Sequence, residues 1–291
     1  MQRLPGLSMA VGALFVSASA VLIDLARVSP GTASFYRCLL ALPVLAPLAL
    51  RERGGRGHAA GGRVMTVLAG LLFAGDMLLW TAAIEEVGAG LSTVLVNVQV
   101  VIVPLLAWAV DREPVTRRFL LALPPLLLGV VLAGAVLESG VGGSDPVLGT
   151  IHAVLAALCY SGYLFLLRRN SGEGRTLRAY LLVTVSAGAC SLVVGAWWQG
   201  VELAPGWAAI GWLALVALFG QVLGWLLVAL SSPRLPSHVG AILLLFTPVG
   251  AVALGALVLG ERPTPLQLSG CVLILTSSCM ATMGHRPARE S

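Results

Sequence analysis

The chain has 291 residues, 58% of them hydrophobic and 11% charged, with a formal net charge of +5. An ordinary soluble domain carries about a quarter charged residues, so this chain lacks the polar side chains to clothe a water-soluble globule and reads as an integral membrane protein. Its basic residues are all arginine and gather in short breaks between apolar runs, so the charge reflects membrane topology and not a nucleic-acid surface.

A helix needs about 20 apolar residues to cross roughly 30 Å of hydrocarbon. Cutting at charge clusters and Gly/Pro-rich breaks predicts ten spans, at 7–26, 31–50, 64–84, 88–110, 119–137, 147–167, 177–198, 207–230, 237–259 and 266–284. The first opens with Arg3 and reaches Ala18-Ser19-Ala20 like a secretory signal. Its apolar run continues through Val21, Leu22 and Ile23, so it reads as a retained span. Ala10, Ala13, Ser17 and Ala20 form a small-residue seam on it, ending near Asp24, a carboxylate close enough to the interface for water to reach.

Span two carries Arg37, and span three carries Asp76 near its centre with Trp80 one turn on and Phe73 on the same stripe. A charge at mid-span costs about 2.5–3.5 kcal/mol and usually faces a bundle interior or a wet cavity. Two readings of Asp76 stand: a group on a central cavity that binds a cationic part of a substrate or takes up a proton, or a permanent counter-ion of Arg37 that fixes helix packing. Span four places Thr93 and Asn97 one turn apart, with Gln99 on another face and Pro104 beyond. These amides suit either ligand contact or helix–helix glue.

The Pro124–Pro125 pair is expected to bend span five or delay its start. Span six sets His152, Cys159 and Tyr163 in a narrow arc with Tyr160 at its edge. The imidazole suits a structural hydrogen bond or proton traffic, and the tyrosines suit a cavity wall with hydroxyls. Trp197 and Trp198 end span seven as interfacial anchors. Span eight repeats the polar-aromatic spacing with Gln221 and Trp225. The five cysteines lie inside apolar runs with no C-x-x-C pair, so neither disulfides nor a metal are implied.

With the N-terminus in the cytoplasm, ten spans place fifteen arginines inside and leave only Arg27 and Arg262 outside, Arg37 being within a span. Glu85, Glu86, Glu138, Asp145, Glu202 and Glu261 fall outside. That bias predicts both termini on the cytoplasmic side of the plasma or inner membrane. An internal repeat accompanies it: "VDREPVTRR" after span four aligns with "LGERPTPLQ" after span nine, Pro114 over Pro263. Five spans per copy is an odd number, so the halves, 1–137 and 147–284, enter with opposite orientation, and 285–291 is a short cytoplasmic tail. The predicted fold is an all-α membrane protein of ten transmembrane helices in two inverted five-helix repeats, with a ligand site near the midplane.

The order of "SFYRCLLALPVLAPLAL", "FAGDMLLWTAAIEEVGAGLSTVLVNVQ", "DREPVT" and "GERPTP" resembles the EamA-type transporters of the drug/metabolite transporter superfamily. The similarity covers essentially the whole chain. It implies movement of small metabolites, amino acids or drugs, usually outward and without ATP. The chain departs from the pattern in reading D-R-E-P where the second half has G-E-R-P, and in Gln99 where the second half has Pro248.

The expected function is therefore an alternating-access carrier for a small molecule, with Arg37, Asp76, Trp80, Asn97, Gln99, His152, Tyr160, Tyr163, Gln221 and Trp225 as candidate substrate contacts. No catalytic residue, metal or cofactor is expected, because H-E-x-x-H, G-x-S-x-G, clustered aspartates and a P-loop are all absent from the sequence. A structural or assembly protein is the main alternative and an intramembrane enzyme the weakest. The partners expected are a small-molecule substrate and the lipid bilayer, with no nucleic acid; proton coupling and a homodimer stay open.

Overall fold

The computed structural model describes residues 3–52, 60–112, 117–133, 144–170, 176–231 and 243–282. The breaks at 53–59 and 171–175, the E-P-V-T part of the first-half break, the end of the expected fifth span, the start of the expected ninth span and the tail from 283 lie outside the described residues.

In hydrocarbon no water is available to unpaired backbone groups, and an apolar run folds as a helix that satisfies its own peptide bonds. Among the described residues the regular structure is all helical: α1 (Arg3–Ala26), α2 (Pro30–Arg51), α3 (Ala60–Val87), α4 (Ala89–Val96), α5 (Gln99–Asp111), α6 (Arg117–Ala133), α7 (Pro146–Asn170) and α8 (Thr176–Trp198). There follow α9 (Trp207–Leu215), a π-helical stretch (Val216–Gly224), α10 (Trp225–Ser231), α11 (Phe246–Leu254), a second π-helical stretch (Gly255–Leu259) and α12 (Pro265–Thr282). Among the described residues seven helical stretches are long and apolar enough to cross a membrane, and two shorter apolar ones, Phe246–Leu259 and Pro265–Met280, accompany them.

Local signals account for several boundaries. Ser29 Oγ accepts from the Thr32 N–H at the start of α2, with Pro30 in the first turn, where its missing N–H is no loss. Gly88 turns α3 into α4 at φ +92°, a left-handed value that favours glycine. The expected delay at Pro124–Pro125 does not occur: α6 starts at Arg117 and runs through both prolines. Prolines are tolerated within membrane helices because neighbouring helices and local backbone adjustment satisfy the carbonyls they free. The expected fourth span is instead broken, with turns at Asn97 and Val98 between α4 and α5, and a turn at Leu245 precedes α11.

The principal packing pairs are α3 with α7, α6 with α12, α2 with α8, α3 with α8, α4 with α11, and α1 with α11 and the α9–α10 run. Glycines allow close approach. A Cβ at Gly129 would meet the Gly270 carbonyl between α6 and α12, and one at Gly31 would meet Gly195 Cα between α2 and α8. Large apolar side chains such as Leu50, Leu121, Val193 and Leu257 remain exposed on the periphery, as a lipid-facing surface requires.

Candidate functional site

Five helical runs bring polar groups to the bundle interior. Arg37 of α2 is 5% exposed; its Nε donates to Gln221 Oε1 at 2.9 Å, and its guanidinium carbon sits 5.6 Å from the centroid of the Trp80 ring. The charge is thus answered by an amide and an indole face, an arrangement worth about 2 kcal/mol when desolvated. Tyr180 of α8 closes the group by donating its hydroxyl to the Gln221 backbone carbonyl at 3.0 Å. Gln221 Nε2 is fully buried and meets no acceptor in good hydrogen-bond geometry among the described residues, with the Tyr180 hydroxyl nearby.

Asp76 of α3 is 8% exposed and makes no hydrogen bond or ion pair among the described residues; the ion pair found there joins His152 to Glu86. Asp76 lies within electrostatic reach of Arg37, Cys159, Tyr160 and Tyr163. The aromatic side chains form a continuous wall. Phe73 stacks on Tyr163 at 4.8 Å, Tyr163 lies 5.7 Å from Tyr160, and Tyr160 lies 6.1 Å from Trp225. Of the ten residues singled out in sequence, the structure gathers Arg37, Asp76, Trp80, Tyr160, Tyr163, Gln221 and Trp225.

The other three stand apart. His152 Nδ1 is 2.7 Å from Glu86 Oε2 at one end of the bundle, with its ring edge-on to Trp198 at 5.6 Å. Asn97 occupies the break after α4 and donates from Nδ2 to the Thr93 carbonyl at 3.3 Å. Gln99 begins α5 with its Oε1 buried and unpaired. Among the described residues no hydrogen bond links Asn97 or Gln99 to the Arg37 group. Tyr180 is the member that the sequence did not flag. Its signal is thin, one phenol in an apolar run just after Arg178, which reads equally as an interfacial ring.

Two cavities lie toward the end that carries Asp24, Glu85 and Glu261. The larger, about 300 Å³, is lined by Asp24, Glu85, Gly88, Glu261, Arg262 and Gln267 among others, and the second, about 260 Å³, by Asp24, Arg27, Thr81, Ile84 and Glu85. Asp76 lines neither. The second cavity reaches Thr81, the residue after Trp80, so the polar group in the interior and the hollow at the end are neighbours along α3.

Two oppositely placed carboxylates tie the halves of the chain together. Glu261 accepts from the Ala89 and Gly90 N–H groups at 2.5 and 3.1 Å, capping α4. Glu52 accepts from the Leu177 and Arg178 N–H groups at 3.1 and 3.0 Å, capping α8. Each carboxylate meets the positive end of a helix dipole.

Comparison with known proteins agrees with this architecture. "Uncharacterized transporter YvbV" of Bacillus subtilis (strain 168) is 26% identical over 206 residues, which cover 69% of this chain and 66% of the relative's length. A solved structure described only as "Crystal structure of protein" matches with a TM-score of 0.59 at 18% identity, over 97% of this chain and 96% of the other, a likeness of fold alone. The model of the EamA-like transporter family matches twice, over residues 4–135 and 147–283. Matched in both halves, this chain belongs to the EamA-like transporter family of the drug/metabolite transporter superfamily and is a multi-pass membrane protein.

Proposed function

We propose that the chain is a secondary carrier that moves a small metabolite, amino acid or drug-like compound by alternating access, with export as the direction its family resemblance implies. Ten spans form two halves, 1–137 and 147–284, inserted with opposite orientation and rocking about a shared interior site. Both termini face the cytoplasm, and the acidic end of the bundle faces outward.

The pattern of contacts supports the inverted repeat. Replace each span by its counterpart five spans on, and the packing pairs map onto one another. Span two on seven (α2, α8), four on nine (α4, α11) and five on ten (α6, α12) are self-matched, while three on six (α3, α7) exchanges with eight on one. The caps are reciprocal too: Glu52, after span two, caps span seven, while Ser29 Oγ and Thr32 Oγ1, opening span two, bond to the Gly200 carbonyl and the Glu202 N–H after span seven. The breaks at Asn97 and Leu245 fall at matching distances ahead of Pro114 and Pro263, within one residue. Paired interruptions of this kind accompany ligand sites at the repeat interface.

The observation that carries the reading is the unspent polarity of the interior. Among the described residues Asp76 has no hydrogen bond, and Gln221 Nε2 has no acceptor beside a guanidinium held by one amide. A buried unpaired donor costs about 1–3 kcal/mol, a cost that a transporter recovers when a ligand supplies the missing acceptor. Arg37 and Gln221 then receive an oxygen-bearing group, Asp76 a donor or cation, and Trp80, Tyr160 and Trp225 the apolar body.

The test begins with a comparison of metabolites inside and outside cells with and without the gene, followed by transport of the enriched compound in proteoliposomes. Asp76→Asn is expected to reduce uptake or efflux at least about a hundredfold while folded protein remains near normal. Loss of folded protein in Asp76→Asn, restored by neutralising Arg37 as well, would assign the carboxylate to packing and overturn the reading.

A further inference from the structure

The contact between His152 and Glu86 stands away from the interior group and has no part in it. Glu86 ends α3 and His152 opens α7, so with the chain divided into two halves the contact spans the joint between them. His152 Nδ1 lies 2.7 Å from Glu86 Oε2, and the two side chains are only 13% and 15% exposed. A hydrogen bond to an ionised carboxylate is roughly twice as strong as one between neutral groups, and here little water competes for it. The imidazole is steadied on its own side by Trp198 of α8, which meets it edge-on at 5.6 Å.

The helices approach closely at this point because residue 149 is glycine. A Cβ there would lie 2.6 Å from Val87 Cγ1 and 2.8 Å from Glu86 Cβ. What sets the contact apart is that both partners are side chains. Ser29, Thr32, Ser144 and Glu261 each bond across the same end to a backbone group. A side-chain pair opens and closes by rotation about its χ angles with both helices intact, whereas a helix cap does not part without fraying the helix end.

The seam that this contact closes leads to the interior site. Cys159 is two turns beyond His152 on the same face of α7, and its Sγ lies 3.1 Å from where a Cβ on Gly75 of α3 would stand. The thiol therefore sits between α3 and α7, within electrostatic reach of Asp76.

We propose that His152 and Glu86 are the latch of the outer gate: their contact holds α3 against α7 and shuts the interior site from the outside, and its release lets the two helices part so that outside water reaches Asp76 and Cys159. The proposal rests on the carrier reading for the two halves and for the end that faces outward. Both are positioning residues, setting the share of molecules open to the outside without touching the substrate.

The experiment reads the Cys159 thiol of the full-length protein in intact cells, using a membrane-impermeant methanethiosulfonate added outside and peptide mass spectrometry. Glu86→Gln and His152→Ala are each expected to raise its rate of modification about tenfold or more, with folded protein near wild type. His152→Gln, whose amide can still donate to Glu86, raises it less than His152→Ala does. The double variant Glu86→Gln/His152→Ala is expected to match the single ones, because either change alone breaks the same contact. Unchanged rates in the single variants, additive effects in the double variant, or raised rates seen only with loss of folded protein would overturn the latch. The same reagent on inside-out vesicles separates this proposal from the reading beneath it. Modification from the cytoplasmic side that falls as modification from outside rises supports both. A rise from outside with no fall from inside would overturn alternating access and leave the latch standing.

Discussion

Arg37 is buried without a carboxylate in bonding distance among the described residues, and what it has instead defines its role. Its Nε–H needs the Gln221 oxygen and its flat face lies over Trp80, so a point-charge ammonium cannot reproduce either contact. Arg37→Lys is expected to retain the positive charge and most of the folded protein but to lower transport about tenfold or more, measured in proteoliposomes beside wild type. Tyr180→Phe removes the hydroxyl that steadies Gln221 at its backbone carbonyl. Interhelical hydrogen bonds in membranes contribute about 0.6–1.7 kcal/mol, so this variant is expected to melt slightly lower without losing expression. The sequence marked Arg37, Asp76 and Trp80 because charge and indole are costly or rare at mid-span. It did not disclose that Arg37 turns to Gln221 and Trp80, because that partnership joins residues 184 positions apart.

At the scale of helices, the G-E-R-P motif acquires a mechanical meaning. Glu261 caps α4, and Gly90 leaves room for it; a Cβ there would meet both Glu261 Oε2 and the Val252 backbone of α11. Glu261→Ala leaves the N–H groups of Ala89 and Gly90 without an acceptor and is expected to cost about 1–2 kcal/mol, read as a lower melting temperature in detergent. Burial holds the Glu261 carboxyl above its ordinary value of 4.5, the nearby Asp24 charge adds to the rise, and the two N–H bonds oppose it. The folded chain therefore binds this proton more readily than the unfolded chain. The associated stability is full below the unfolded value and is lost as pH rises through the folded one. The melting-temperature difference between wild type and Glu261→Ala should accordingly shrink from about pH 4 upward and level off once the folded carboxyl is ionised. The motif was visible in sequence as a repeat mark; its target, the start of α4, was not, since capping depends on how two distant segments meet.

For the molecule as a whole, the arginine distribution makes the orientation testable. Alkaline phosphatase fused after Glu202 is expected to be active and one fused after Arg56 inactive, with the reverse pattern for a cytoplasmic fluorescent reporter. What the sequence determined by itself was the solvent, the helical class and the position of most apolar runs. Insertion into lipid is governed by hydropathy summed over about 20 consecutive residues, a local quantity that composition and order already contain. The tertiary structure decided which polar groups are spent and which are open. It paired His152 with Glu86 away from the interior group, left Asp76 without a hydrogen-bond or ion-pair partner among the described residues, and set the hollow at Asp24, Glu85 and Gln267. Those outcomes depend on angles and approaches between helices far apart in the chain, where a shift of one turn changes every neighbour, and no local pattern encodes them.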